Sequence, residues 1–450
     1  MMSQHTAAVP PEAERGVRHD VRPLMYIVLR NPFRSRPPTS RRWPGPVRPF
    51  YRVKETTVAV TPTCPVRYDP LDEATLADPY PVLAALRAQA PLVWHDTMES
   101  WLVTGYDDCV RVLRDHEAFA RDPRRLGRTV PEASLSVQVL DPPHQAAVRS
   151  AFMTSLHAQD LPVLQERTRR DIAARLEVLA SQPAWDVMRE LAQPVALDAI
   201  ADLLGVTPPP LSAWVQVSDT IMRSMDGGLN PDLVEPGRLA REKLSELVAS
   251  WFTTTGSPAG LLGHVRTRTA DAGPELARYV VHTARVMFQG GYSTLAAAIG
   301  NAVDTLARNP QAQRALRETP QLRATGVDEL VRYDGPVQGT SRLAATDVLL
   351  GGRTVHRGEK VTVLFQAANR DPAHFEHPDR LVLDRSPNRH LGYGWGTHAC
   401  LGTTLAQRVL VALLDALADH PGLLHPAGPA RRRHTATMRA FDHLPVTLQP

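Results

Sequence analysis

From Pro274 to Arg308 the chain keeps one helical period for 35 residues with no second proline, a rod of roughly 50 Å at about 1.5 Å per residue. An element that long crosses a whole domain, so the rest of the fold must pack around it. Pro274 suits a first helical turn, and the Asn309-Pro310 pair marks the stop. Gly290 and Gly291 interrupt the middle. Each mid-helix glycine is about 0.5–1 kcal/mol less favourable than alanine, so the pair calls for a reason. Close packing against another helix is one. Room for a flat ligand is the other.

The remaining patterns are mostly helical too. "LPVLQERTRRDIAARLEVLA", "LVEPGRLAREKLSELVASWF" and "PQAQRALRE" carry helical spacing, with proline-bearing breaks between them. Strand signals are short: "LVWHD", "WLVTG" and the segment Val348 to Phe365, which reads as hairpins. With no internal repeat or linker, residues 61–450 read as a single mainly α domain with small β-sheets, an α+β class.

Residues 1–60 read differently. The first 54 carry a charge of +8 against −4 for the remainder, in a Pro-rich context without periodicity, which predicts a disordered, solvated extension. Neither nucleic acid nor a membrane is the expected partner. No apolar run approaches the roughly 18 residues of a membrane span. Cys64, Cys109 and Cys400 are odd in number and form no CxxC pair, which argues against a disulfide framework or a zinc knuckle and favours a reducing cytoplasm.

The chemistry concentrates in "HLGYGWGTHACLGTTLAQRVLVALLDAL", residues 390–417. Gly392, Gly394 and Gly396 let the backbone approach a planar ligand closely. Cys400 follows, immediately before a helix with an apolar stripe from Leu401 to Leu417. Backbone N–H groups and the positive helix end there should lower its pKa. One cysteine cannot hold zinc but can be the single protein ligand of a haem iron. Taken alone, Cys64 and Cys109 read as buried small hydrophobes.

The run Tyr393 to Gly402, aromatic-Gly-x-Gly-x-His-x-Cys-x-Gly, resembles the haem-binding signature of the cytochrome P450 family, with tyrosine where phenylalanine is usual. Three further stretches agree in order, so the resemblance spans roughly residues 60–450. Glu329 and Arg332, one helical turn apart, resemble the family's Glu-x-x-Arg pair, and Arg380 in "NRDPAHFEHPDR" is the expected third member of a buried cluster bracing the haem loop. By the same match Arg149, Arg342 and His398 meet the haem propionates, while Gln145 stands where a second histidine is common and His144 falls one position early. Tyr393, Gly394, Gly396, Gly402, Gly290 and Gly291 complete the expected cofactor contacts.

The long helix resembles the family's oxygen-binding helix. Aligning Gly290 and Gly291 on its glycine step puts Ser293 at the acid and Thr294 at the alcohol; a register one residue earlier would use Tyr292 and Ser293. Reductive cleavage of dioxygen consumes two protons, and a serine supplies no carboxylic proton. The resemblance implies the family fold, haem b (iron-protoporphyrin IX), O2 as co-substrate, and NAD(P)H electrons arriving through a separate ferredoxin reductase and ferredoxin. The expected substrate is a small apolar or aromatic molecule of secondary metabolism, free or carrier-protein-bound. Oxidative coupling or desaturation is the alternative favoured by Ser293, ahead of a non-catalytic haem sensor. A Cys400–His398 hydrolase is disfavoured, since residues two apart in this loop do not readily form a nucleophile–base pair. The substrate pocket is expected around Pro123–Leu140, Pro194–Asp232 and Val337–Leu343.

Overall fold

The long period folds as one helix, Gly273–Ala307, with Pro274 in its first turn and the next helix, Pro310–Glu318, starting at the Asn-Pro pair. The computed structural model describes residues 66–253 and 259–449; the expected extension at 1–60 and Cys64 lie outside them. From Leu295 to Ala307 every side chain of the long helix is buried, which is what an apolar, alanine-rich second half dictates. Around it pack the helices Gln193–Leu204, Leu322–Asp334 and Thr403–Asp419. Asn301 fixes its depth: the amide donates to the carbonyls of Asp334 and Arg439, both at 3.0 Å, and its oxygen accepts from Arg432 at 2.8 Å.

The two glycines separate the two reasons for having them. A Cβ on Gly291 would lie 2.6 Å from Ile200 Cδ1, so this glycine lets the Gln193–Leu204 helix come close. A Cβ on Gly290 would meet nothing within 4 Å. Gly290 faces open space.

The other predicted helices form at Leu161–Leu179, Val234–Thr253 and Pro310–Glu318. The stripe of Thr403–Asp419 buries Leu405, Val409 and Leu413, chiefly against Leu161–Leu179 and Leu322–Asp334, each such side chain contributing about 1.5–3 kcal/mol. The small sheets differ from expectation in one respect. Val348–Leu350 and Arg353–Val355 do pair as a hairpin. Lys360–Leu364 instead enters a five-stranded sheet, parallel to Ser100–Val103 and antiparallel to Gly339–Ala344. Its five residues are buried at four positions, so it takes the central place where both neighbours cover it. A three-stranded sheet of Trp185–Asp186, Leu423–Pro426 and Pro445–Gln449 lies elsewhere. Cys109 is buried, its thiol donating to the Val103 carbonyl at 3.4 Å, a structural role.

Candidate functional site

The loop before Thr403–Asp419 is shaped by its glycines and by hydrogen bonds to its backbone. Gly394 and Gly396 adopt φ of 69° and 72°, where a side chain is strained, and a Cβ on Gly396 would strike the Leu113 carbonyl oxygen at 2.6 Å. Cys400 N–H donates to Tyr393 O at 2.9 Å, closing the loop. Arg149 donates to Ala399 O at 2.7 Å and Gln145 to Thr397 O at 2.8 Å. Gln145 thus anchors the loop backbone, while His144 is exposed against the Tyr279 ring.

Cys400 lies deep in the chain yet carries exposed surface, because that surface faces a cavity of about 290 Å³. Gly402 N–H donates to its sulfur at 3.2 Å. Burial nevertheless pushes the thiol up, outweighing Gly402, Thr403 and Arg149, so the expected lowering by helix and backbone does not hold for the protein alone. A bound metal cation reverses that balance by deprotonating its thiol ligand.

Gly290 and Thr294 of the long helix line the same cavity, as do Arg121, Arg149, Arg342 and His398. Arg342 comes from the strand Gly339–Ala344 and donates to Ser341 O at 3.0 Å. Arg121 was not foreseen. It donates to Thr340 Oγ1 at 2.6 Å and Gln138 O at 2.9 Å, and its aperiodic surroundings, "FARDPRR", give no sequence signal. The His398 Nε2 pairs with Asp141 Oδ1 at 3.0 Å, while its buried Nδ1 has no partner. Burial, opposed by Asp141 and aided by Arg342 and Arg121, pushes this imidazole down to about 4. An anion arriving beside the orphaned Nδ1 would favour the imidazolium.

A second cavity of about 720 Å³ meets the first at Gly290 and Thr294. Ser293 lines only this second cavity. Both hydroxyls bond back along the helix: Ser293 Oγ donates to Gln289 O at 2.8 Å and Thr294 Oγ1 to Gly290 O at 2.7 Å. Tyr292 packs instead toward Trp214, with ring centroids 6.0 Å apart. Walls from Pro131–Val139, Ile221–Met225 and Val337 fall in the expected segments; Glu235–Ser245 and Met438 were not anticipated.

Behind the loop, Glu329 and Arg332 are fully buried and joined by two hydrogen bonds of 2.7 and 2.9 Å. The third member requires correction. Arg385, not Arg380, places its guanidinium on Glu329, Nε to Oε2 at 3.0 Å. Arg380 contributes its carbonyl to Arg332 at 3.1 Å and its side chain is exposed. The turn through Arg380 presents backbone inward, and Val382 N–H and Asn388 fill the remaining sites on Glu329.

A helical fold around one long helix, with a lone cysteine facing a cation-rimmed cavity, defines a haem-thiolate class, and the comparisons agree. The cytochrome P450 family model matches residues 276–417. "Cytochrome P450 105C1" of a Streptomyces species is 32% identical over 394 residues, covering 86% of this chain and all of that protein. "20-oxo-5-O-mycaminosyltylactone 23-monooxygenase" of Streptomyces fradiae is 30% identical, covering 81% and 88%. The solved structure of P450BioI in complex with hexadec-9Z-enoic acid ligated acyl carrier protein has a TM-score of 0.72 at 26% identity, covering 84% of this chain and 100% of that one. The chain belongs to the cytochrome P450 family and is an oxidoreductase of that type, a family that uses haem and O2. The residues present fit haem: a sulfur open to the cavity, an orphaned imidazole nitrogen among guanidinium groups, and a Gly290 that leaves the opposing helix bare. Among the described residues, no helix is long and apolar enough to cross a membrane.

Proposed function

We propose that this protein is a monooxygenase that hydroxylates, or oxidises in a related way, a small and largely apolar or aromatic molecule of secondary metabolism. Residues 61–450 form its haem domain, electrons pass from NAD(P)H through a ferredoxin reductase and a ferredoxin, and the setting is the cytoplasm. The observation that carries the reading is that Cys400 shares one cavity with Gly290, Thr294 and a rim of Arg121, Arg149, Arg342 and His398.

Haem b, when bound through Cys400, supplies the activation of dioxygen. The chain's own residues do the rest. Arg149, Arg342 and His398, with Arg121, would hold the carboxylates of the cofactor. Gly394, Gly396 and Gly402 would let loop backbone lie close to it, the Gly402 N–H drawing charge from the sulfur and the Tyr393 carbonyl closing the loop. Glu329, Arg332 and Arg385 brace the loop from behind. The Thr294 hydroxyl donates its hydrogen bond to Gly290 O, so its lone pairs are left to accept from a water at the junction of the two cavities. Ser293 is arranged likewise on Gln289 O. A serine relays a proton without being its source, so protons come through water or from the substrate.

The relative named as a 20-oxo-5-O-mycaminosyltylactone 23-monooxygenase supports the metabolic setting, and the acyl carrier protein complex of P450BioI supports a carrier-bound substrate as an alternative to a free one. Ser293 at the acid position favours a second reading, oxidative coupling or desaturation. Turnover with NAD(P)H, ferredoxin and its reductase under isotopically labelled O2 tests both. Label in the product supports monooxygenation; an oxidised product without label supports the second reading, and no product-linked NAD(P)H consumption contradicts both.

A further inference from the structure

A third cavity, of about 170 Å³, adjoins the one at Cys400, and the two share Arg121, Thr340 and Arg342 in their walls. One face of the five-stranded sheet lines it. Lys360, Thr362 and Leu364 alternate along their strand and all border the cavity, as do their register partners Leu343, Ser341 and Gly339. Val361 and Val363, between them, are buried in the core on the opposite face. The alternation therefore turns the Lys360 side chain toward the cavity. Thr362, next on that face, is already paired, its hydroxyl lying 2.7 Å from Ser100 Oγ and 2.9 Å from Ser341 Oγ.

Of the charged side chains in this lining, Arg121, Arg128, Arg342 and Lys360 are cationic and Asp226 alone is acidic. Asp226 is occupied: its carboxylate accepts from the N–H groups of Ala436 and Thr437 at 2.7 and 3.1 Å and from Thr437 Oγ1 at 2.6 Å. Arg121 and Arg342 also border the Cys400 cavity, whereas Lys360 and Arg128 do not. Arg128 donates to Gly358 O at 3.0 Å, two residues before Lys360 on the same strand edge. Among the described residues neither Lys360 nor Arg128 forms an ion pair. Glu359, the carboxylate next to Lys360, is held by Trp101 Nε1 at 2.9 Å and by the His356 N–H at 2.8 Å. Burial pulls the Lys360 amine down to about 8; Glu99, which stays beyond ion-pair distance, opposes this and the Arg128 charge adds to it. Holding a cation there is unfavourable unless an anion joins it.

Val139, Met225 and Thr437 line both this cavity and the larger one, so the two adjoin across that divide, with Ser293 and Thr294 on the far side. We infer that the substrate carries an anionic group, a carboxylate or a phosphate, held in the third cavity by Lys360 with Arg128 beside it, while an apolar body passes Met225 and Thr437 into the larger cavity to be oxidised. A compact ammonium accepts either anion. A free acid would bring its own carboxylate; a carrier-bound acyl group would bring the phosphate of its phosphopantetheine arm. The inference rests on the proposed function, whose substrate it specifies. Oxidation falls on the body of the molecule and not beside the anion, since neither Ser293 nor Thr294 borders the third cavity.

The test titrates the holoenzyme with two matched pairs, dodecanoic acid beside methyl dodecanoate and S-dodecanoyl phosphopantetheine beside S-dodecanoyl pantetheine, read by the spin-state difference spectrum and, independently, by calorimetry. The anionic member of at least one pair should bind about tenfold or more tightly than its neutral partner. A preference in the first pair identifies a free acid, and one confined to the second a carrier-borne substrate. Lys360→Gln should bring the ratio close to one, Lys360→Arg should keep most of it and Arg128→Gln should lower it, each variant first showing the wild-type carbon monoxide spectrum. Ratios near one in both wild-type pairs overturn the inference even where a variant does not fold, and so does a preference that Lys360→Gln leaves intact. A protein without thiolate-ligated haem that still prefers the anion by calorimetry, and loses the preference with Lys360→Gln, would overturn the proposed function and leave the anion site standing.

Discussion

Replacing Gly290 and Gly291 by alanine, one at a time, should move stability in opposite directions. Both lie inside a regular helix, where alanine in place of glycine is favourable by about 0.5–1 kcal/mol. At Gly290 a new methyl meets nothing within 4 Å, so Gly290→Ala should gain that amount. At Gly291 the methyl would lie 2.6 Å from Cδ1 and 2.8 Å from Cγ1 of Ile200, a residue 1% exposed in a packed helix. Overpacking of that kind typically costs about 1–3 kcal/mol, leaving Gly291→Ala net destabilised by roughly 0.5–2 kcal/mol. Ile200→Ala alone should cost about 2–5 kcal/mol, and combined with Gly291→Ala it should cost less than the sum of the two single substitutions, since neighbours in contact couple. Urea denaturation followed by circular dichroism reads all four variants. Gly290→Ala should also weaken ligand binding, because its methyl enters the junction of the two cavities. Equal destabilisation by both alanines, or a neutral Gly291→Ala, would refute the division of roles between them.

Arg385→Ala should destabilise the protein by about 3–5 kcal/mol and loosen haem retention, because it strips a partner from the fully buried Glu329, whereas Arg380→Ala should stay within about 0.5 kcal/mol; thermal melts of the two variants decide. Burial raises the Asp334 carboxyl, but Arg439 and Arg432, with the Tyr80 hydroxyl, outweigh it and hold the group below the usual carboxylate range. Its folded pKa being the lower one, its stabilisation is present above the unfolded value near 3.8 and is lost as pH falls below it. Asp334→Asn should therefore lower stability at neutral pH and flatten the acid limb of the stability profile, measured by denaturant midpoints across pH. Ser293→Asp should raise product formed per NAD(P)H consumed; an unchanged ratio would make proton supply by an acid irrelevant here.

The sequence carried what is contiguous or periodic. The long helix, the Thr403–Asp419 stripe and the cysteine loop follow from local pattern, and the structure sets them around one cavity. What depended on distant neighbours was not legible. Arg380 and Arg385 lie five residues apart in an aperiodic segment, and only the turn decides which guanidinium reaches Glu329. The strand Gly339–Ala344 is polar enough to read as loop, and its partner Lys360–Leu364 is remote in the chain. The double glycine announced a reason without saying which, and the answer differs for each residue. Basic residues in loops and at strand ends ordinarily read as solvated, so Arg128 and Lys360 gave no sign of facing a cavity. At Cys400 the helix and N–H contributions are visible in sequence, whereas the burial that outweighs them is not.

Haem ligation by Cys400 is tested most plainly by the absorption spectrum of the dithionite-reduced protein with and without carbon monoxide, recorded beside Cys400→Ala. Thiolate ligation through Cys400 should give a strongly red-shifted Soret band that the substitution abolishes. An unshifted band, a shifted band that survives Cys400→Ala, or a protein that takes up no haem would contradict it.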